Sequence, residues 1–143
     1  MRFLLDTNVF REVGKTRPDA NVAMWLARVD DRDLAISVLT VREVHTGIVR
    51  LKATKPQAAD QLEARVADII TAFGERVLPV TRDIAQLWGE LLAAREKHRD
   101  DTGLAATARV HGLVLVTRNL KHVAGRGAAA LDPFRAKPKV SRP

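Results

Sequence analysis

Three acids stand out by where they fall in the chain. Asp6 ends the apolar run Phe3-Leu4-Leu5, Glu43 lies in the first turn of a helix that follows Leu34-Ala35-Ile36-Ser37-Val38, and Asp101, beside Asp100, opens the helix that precedes Leu113-Val114-Leu115-Val116. Placed together at one sheet edge, carboxylates within a few ångströms repel one another, and a divalent cation would neutralise them. Oxygen donors with no thiolate and no paired histidine suit Mg²⁺ or Mn²⁺. Each acid also has a local reading: Asp6 and Asp101 are suitable helix N-caps, and Thr40-x-x-Glu43 is a capping box as written. Singly the local readings are the stronger; the three acids together favour the cation site.

Other fragments carry less. Gly14-Lys15-Thr16 looks like the end of a phosphate-binding loop, but the first glycine of that loop would fall at Val9. Gly125-x-Gly127-x-x-Ala130 imitates a dinucleotide fingerprint with too little chain after it. Neither serine, Ser37 or Ser141, sits in a G-x-S-x-G elbow. The four histidines, His45, His98, His111 and His122, show no H-E-x-x-H pairing, which argues against zinc.

The acids need elements to position them. Strands are expected at Phe3–Leu5, Leu34–Val38, Arg76–Val80 and Leu113–Val116, and helices at Asn21–Val29, Val41 to Lys52, from Pro56 along the stripe Leu62, Val66, Ile69, Ile70 and Phe73, around Ile84–Leu92, and at Thr102–His111 before Gly112. Strands alternating with helices imply an α/β domain with a central parallel sheet of four to five strands and helices on both faces, whose ligands bind beyond the strands' carboxyl ends. The domain is expected to span residues 1–134, with 135–143 a basic, flexible tail.

With 143 residues, 46% hydrophobic and 29% charged, the chain has the composition of one globular domain. No apolar run is long enough for a membrane span, the first residues lack a signal-peptide core, and without cysteine there is no disulfide or thiol chemistry, so a cytoplasmic protein is expected. The net charge of +7 is concentrated at the end: from Arg109 onward the only acid is Asp132, against Arg109, Arg118, Lys121, Arg126, Arg135, Lys137, Lys139 and Arg142. Such a field favours polyanions, while 4% aromatics and no tyrosine argue against modules that read bases by stacking.

Leu4-Leu5-Asp6-Thr7-Asn8-Val9 and Ile36 through Val44 with Gly47 resemble the first two motifs of PIN-domain ribonucleases. Asp101 through Ala108 and His111 through Asn119 resemble the remaining two. The order and spacing are similar to VapC-type toxins of bacterial toxin–antitoxin pairs, from residue 3 to about Phe134. The resemblance implies a Mg²⁺- or Mn²⁺-dependent endoribonuclease with Asp6, Glu43 and Asp101 as catalytic, metal-binding acids, Asn119 of Thr117-Arg118-Asn119 as a further ligand, and Thr117 as a hydrogen-bonding partner. Many relatives continue with an Asp-Phe pair where this chain has His122-Val123. Arg118, Lys121 and Arg126 are candidates to clamp RNA phosphates. The implied partners are RNA, a VapB-type antitoxin whose tail offers a basic side chain to the acids, and a second copy in a homodimer and higher-order complex, with no membrane. The short helix around Ala23, Trp25 and Leu26 is a candidate wall for that tail, unless Trp25 is core. Two other readings are a non-catalytic RNA-binding protein on the same fold and an acid-site phosphatase or receiver-like domain. Asp6-Thr7-Asn8 lacks the second aspartate of a phosphatase, and Val80-Thr81-Arg82 lacks a phosphoacceptor.

Overall fold

The structure is a computed structural model that describes all residues, 1–143. Its elements run β1 (Phe3–Leu5), α1 (Thr7–Phe10), α2 (Ala20–Arg28), β2 (Leu34–Ser37), α3 (Val38–Lys52), α4 (Pro56–Phe73), β3 (Val77–Leu78), α5 (Arg82–Ala94), α6 (Arg99–His111), β4 (Val114–Val116), α7 (Leu120–Val123) and β5 (Ala130–Leu131). The five strands form one parallel sheet in the order β3-β2-β1-β4-β5. This is the expected α/β architecture, with the fifth strand supplied by an alanine-rich segment that carries no strand signal of its own.

Side-chain alternation along so short a strand decides which layer each residue joins. Phe3 and Leu5 enter one core with Phe10, Trp25, Ile36 and Ile48, and α4 lays Leu62, Val66 and Ile69 against it. Leu4 points the other way, into a second core with Leu104, Ala105, Leu115 and Val123. Both faces of the sheet are therefore covered, which explains why β1 and β4 are almost wholly apolar.

The helix starts differ from expectation where a cap was misassigned. Ser37 Oγ accepts from the Leu39 amide at 3.0 Å, so α3 begins at Val38 rather than Val41. Thr40 is thereby buried inside the helix, no capping box forms with Glu43, and Glu43 sits in the second turn. Helix α6 begins at Arg99, which places Asp101 within the first turn instead of at the cap. The flanking residue is His98, in the left-handed region at φ 53. Asp6 does cap α1: its Oδ1 accepts from the Thr7 amide at 2.6 Å. Within the tail, Ser141 pairs antiparallel with Ala130 at the sheet edge, through bonds of 2.7 and 3.0 Å.

Gly103 allows α6 to lie close to its neighbours. A Cβ there would stand 2.8 Å from Trp88 Cε2 and 2.9 Å from Leu39 Cδ1, and the Trp88 ring is fixed by donating its indole N–H to Arg99 O at 2.8 Å. Gly103→Ala is therefore expected to destabilise the fold by about 1–3 kcal/mol, despite alanine's better helix propensity. Urea denaturation checks this; a variant as stable as the parent would show that α6 has room to shift.

Candidate functional site

In this strand order the chain leaves β1 toward β2 and later crosses back to β4, so the crevice between their carboxyl ends is the topological switch point. Asp6 follows β1 and Thr117 follows β4, both at that crevice and both buried. Thr117 donates its hydroxyl to Asp6 Oδ2 at 2.7 Å and accepts from the Asn119 amide at 3.0 Å, which fixes the direction of the hydroxyl proton. Asn8 adds a longer bond from its amide nitrogen to Asp6 Oδ2, at 3.4 Å, and its carbonyl oxygen accepts from the Arg118 amide at 3.3 Å. Thr7 and Thr40 meet hydroxyl to hydroxyl at 3.4 Å, tying the end of β1 to α3.

Asp6 is only 6% exposed, and its pKa is pushed up from 3.8 to about 6. Burial is the main cause; the Thr117 hydrogen bond pulls the other way, the charge of Asp101 raises it, the Thr7 amide lowers it, and Glu43 raises it further. Asp101, from the first turn of α6, and Glu43, from the second turn of α3, thus both act electrostatically on Asp6 at the end of β1. Asp100 is turned aside into an ion pair with Arg42. Carboxylate oxygens are the donors a hard divalent cation takes, and a cation beside Asp6 would offset the burial and the neighbouring charges that hinder its ionisation.

The PIN domain family profile matches residues 3–124. The chain belongs to the PIN-domain family. Among its relatives, VapC ribonuclease Y4jK of Sinorhizobium fredii is 29% identical, the alignment covering 92% of this chain and 96% of that protein. Toxin FitB of Neisseria gonorrhoeae is 28% identical over 92% and 97%. The crystal structure of FitAcB from Neisseria gonorrhoeae superposes with a TM-score of 0.83 at 27% identity, covering 93% of this chain and 99% of that one.

Around the acids of this PIN domain the cations divide into two kinds. Arg118 and Lys121 are exposed, and the Arg118 guanidinium lies over the Phe134 ring, 4.6 Å from its centroid. Arg126 corrects the sequence reading. It is buried, and its guanidinium donates to the carbonyls of Leu91 at 2.6 Å, Arg95 at 2.8 Å and Lys97 at 2.9 Å, so it caps the end of α5 and holds the loop into α6 instead of facing a phosphate. Trp25 is likewise core, edge-on to Phe3 at 5.1 Å, and is not the wall of a groove. Asn119 flanks α7 with no hydrogen bond from its side chain to the helix.

Sequence reasoning missed two features. Arg11, Arg42 and Arg50 line a polar cleft of about 270 Å³ with Glu43 and Asp100; helical spacing puts Arg42 and Arg50 on α3, but only the tertiary fold brings Arg11 to them. His98 and His122 stack at 3.9 Å between centroids beside Asp101, although they lie far apart in the chain.

The raised pKa sets a pH dependence. Folded Asp6 binds its proton more tightly than the unfolded chain does, so its contribution to stability is greatest below pH 3.8 and is lost as pH rises to about 6. In chelator-treated protein, Asp6→Asn should gain stability relative to the parent across that window, by up to about 3 kcal/mol, and Mg²⁺ should return most of the loss to the parent alone. Parallel stability–pH curves for the two proteins would contradict this.

Proposed function

We propose that the protein is a divalent-metal-dependent endoribonuclease that acts as the toxin of a toxin–antitoxin pair. The observation that carries the reading is the buried Asp6 at the switch point, whose ionisation the charges of Asp101 and Glu43 hinder. The names of the relatives agree with it: one is a VapC ribonuclease, another a toxin, and a structural neighbour at 26% identity and TM-score 0.67 is a toxin–antitoxin complex from Klebsiella pneumoniae.

In this reading Asp6, Glu43 and Asp101 hold Mg²⁺ or Mn²⁺, with the Asn119 amide oxygen as an outer donor. When bound, the cation supplies Lewis acidity and a water acidic enough to attack phosphorus at neutral pH. The chain's own part is orientation. Thr117 and the Thr7 amide hold the two oxygens of Asp6 in fixed directions, and the stiffness of β1 and β4 keeps them there. The arginine cleft beside Glu43 receives RNA phosphates on one side, and Arg118 and Lys121 receive them on the other. A cytosolic nuclease of this kind needs restraint, and an antitoxin segment supplies it by offering Arg or Lys to the same carboxylates. The rest of that segment lies in the apolar groove between α1, α3 and α4, about 380 Å³, walled by Phe10, Val44, Ile48, Leu62, Val66 and Ile69. A homodimer that assembles further with antitoxin completes the proposal.

Asp6→Asn, Glu43→Gln and Asp101→Asn should each lower Mg²⁺- or Mn²⁺-dependent cleavage of cellular RNA by about a hundredfold or more, and a double variant should lose little beyond that, because the acids act as a unit. Expression of the parent should slow growth and that of Asp6→Asn should not. Folded variants that cleave at the parental rate would overturn the nuclease reading. Strong expression of soluble, folded parent without growth arrest would overturn the toxin role while leaving the chemistry standing.

A second expectation concerns the cations. Replacing Arg11 and Arg50 with Gln should weaken RNA binding and flatten its dependence on salt by about two released counterions, with the cleavage positions unchanged. A salt slope equal to the parent's would place the RNA elsewhere.

A further inference from the structure

His122 Nδ1 lies 2.8 Å from Asp101 Oδ2, and the His98 ring stacks on His122 with planes only 10° apart. One donor atom from each of the three residues falls within 4.8 Å of the other two. We propose that His98, Asp101 and His122 form a transition-metal site, taking Zn²⁺ or a similar nitrogen-preferring divalent ion, that shares Asp101 with the oxygen-lined site at Asp6 and Glu43.

Two imidazoles and a carboxylate are a donor set for zinc, with an open position left for water, and they are a poor set for Mg²⁺, which prefers oxygen. The histidines come from separate elements. His98 is the sole non-glycine residue with positive φ, and Thr102 fastens its carbonyl, the Thr102 hydroxyl donating to His98 O at 2.7 Å with Lys97 O farther off at 3.2 Å. His122 reaches the same point from α7, which is only one turn long and is fixed by the buried Val123. Strained backbone of this kind persists where surrounding structure imposes it.

Binding draws the donors closer than the stack leaves them, since Zn–N and Zn–O bonds are about 2.0–2.2 Å. On binding, the His98 ring would swing off His122, and the hydrogen bond between His122 Nδ1 and Asp101 Oδ2 would give way to bonds from both groups to the ion. An ion held here draws Asp101 Oδ2 toward the histidines. Zn²⁺ would then compete with Mg²⁺ for a shared carboxylate, making the cluster a control on the neighbouring site.

The test is direct metal binding to the purified chain with no RNA present, so that it stands or falls apart from the nuclease reading. Co²⁺ is titrated with visible absorption as the readout, followed by displacement with Zn²⁺. The expected result is saturation at one Co²⁺ per chain in the micromolar range, with ligand-field bands that report nitrogen ligation. His98→Ala and His122→Ala should each weaken binding at least about tenfold. His122→Asp, which keeps a donor and tests against simple loss of folding, should do the same while circular dichroism stays parental. His45→Ala and His111→Ala, at exposed histidines elsewhere, should bind as the parent does. Absence of saturable binding below millimolar Co²⁺, or binding within tenfold of the parent by either alanine variant, would overturn the proposal.

Discussion

Adjacent strands β1 and β4 deliver to one point a carboxylate and the hydroxyl that holds it, Asp6 and Thr117, 2.7 Å apart. Much of the local structure follows from keeping that buried carboxylate in place. Its Oδ1 starts α1, and its Oδ2 ties the end of β1 to the end of β4 across the switch point. The cost is visible in its pKa of about 6: burial and the neighbouring Asp101 and Glu43 outweigh what Thr117 and Thr7 offer. A protein that only needed a helix cap would leave such a residue at the surface, where capping costs no desolvation. The combination of a buried cap and a hindered charge is what the proposed cation would relieve.

The supporting elements are arranged around that demand. Gly103 lets α6 lie against Trp88 and Leu39, which brings the first turn of α6, with Asp101, over the sheet edge. Arg126 secures the other side from inside the molecule, joining the end of α5 to the loop that carries His98. One of the basic residues concentrated at the end of the chain is therefore structural. Arg109 is partly so as well, since it donates to Arg126 O at 3.2 Å. The exposed cations nearest the acids include Arg11, Arg42 and Arg50, from a stretch of sequence whose charges cancel overall.

The sheet and the three acids were legible because their signals are local: apolar runs that end on Asp6 and Thr117, a stripe on α4 opened by Pro56, and Gly112 in the left-handed conformation that stops α6. Caps were harder to read. Ser37 and Thr40 are chemically similar N-cap candidates, and it is the Ser37 hydroxyl that accepts from a first-turn amide, that of Leu39, moving Glu43 into the second turn. The strand Ala130–Leu131 owes its existence to pairing with β4, since alanine has little strand preference of its own. The fate of Arg126 and the meeting of His98 with His122 depend on contacts across many residues, which no spacing rule reports. The histidines were set aside for lacking a one-helix motif, yet two of them meet because α6 and α7 pack together.

In the proposed site the carboxylates of Asp6 at the end of β1, Glu43 in the second turn of α3 and Asp101 in the first turn of α6 share one cation. Paramagnetic broadening by Mn²⁺ tests it most directly: substoichiometric Mn²⁺ is added to isotopically labelled protein without RNA, and amide signals are followed. With a shared cation, the signals of Asp6, Thr7, Glu43, Asp101 and Thr117 broaden first and together, and Asp6→Asn abolishes the effect at Glu43. Broadening that begins instead at the exposed acids Asp30 and Asp31, with the signal of Asp6 unchanged, would contradict it.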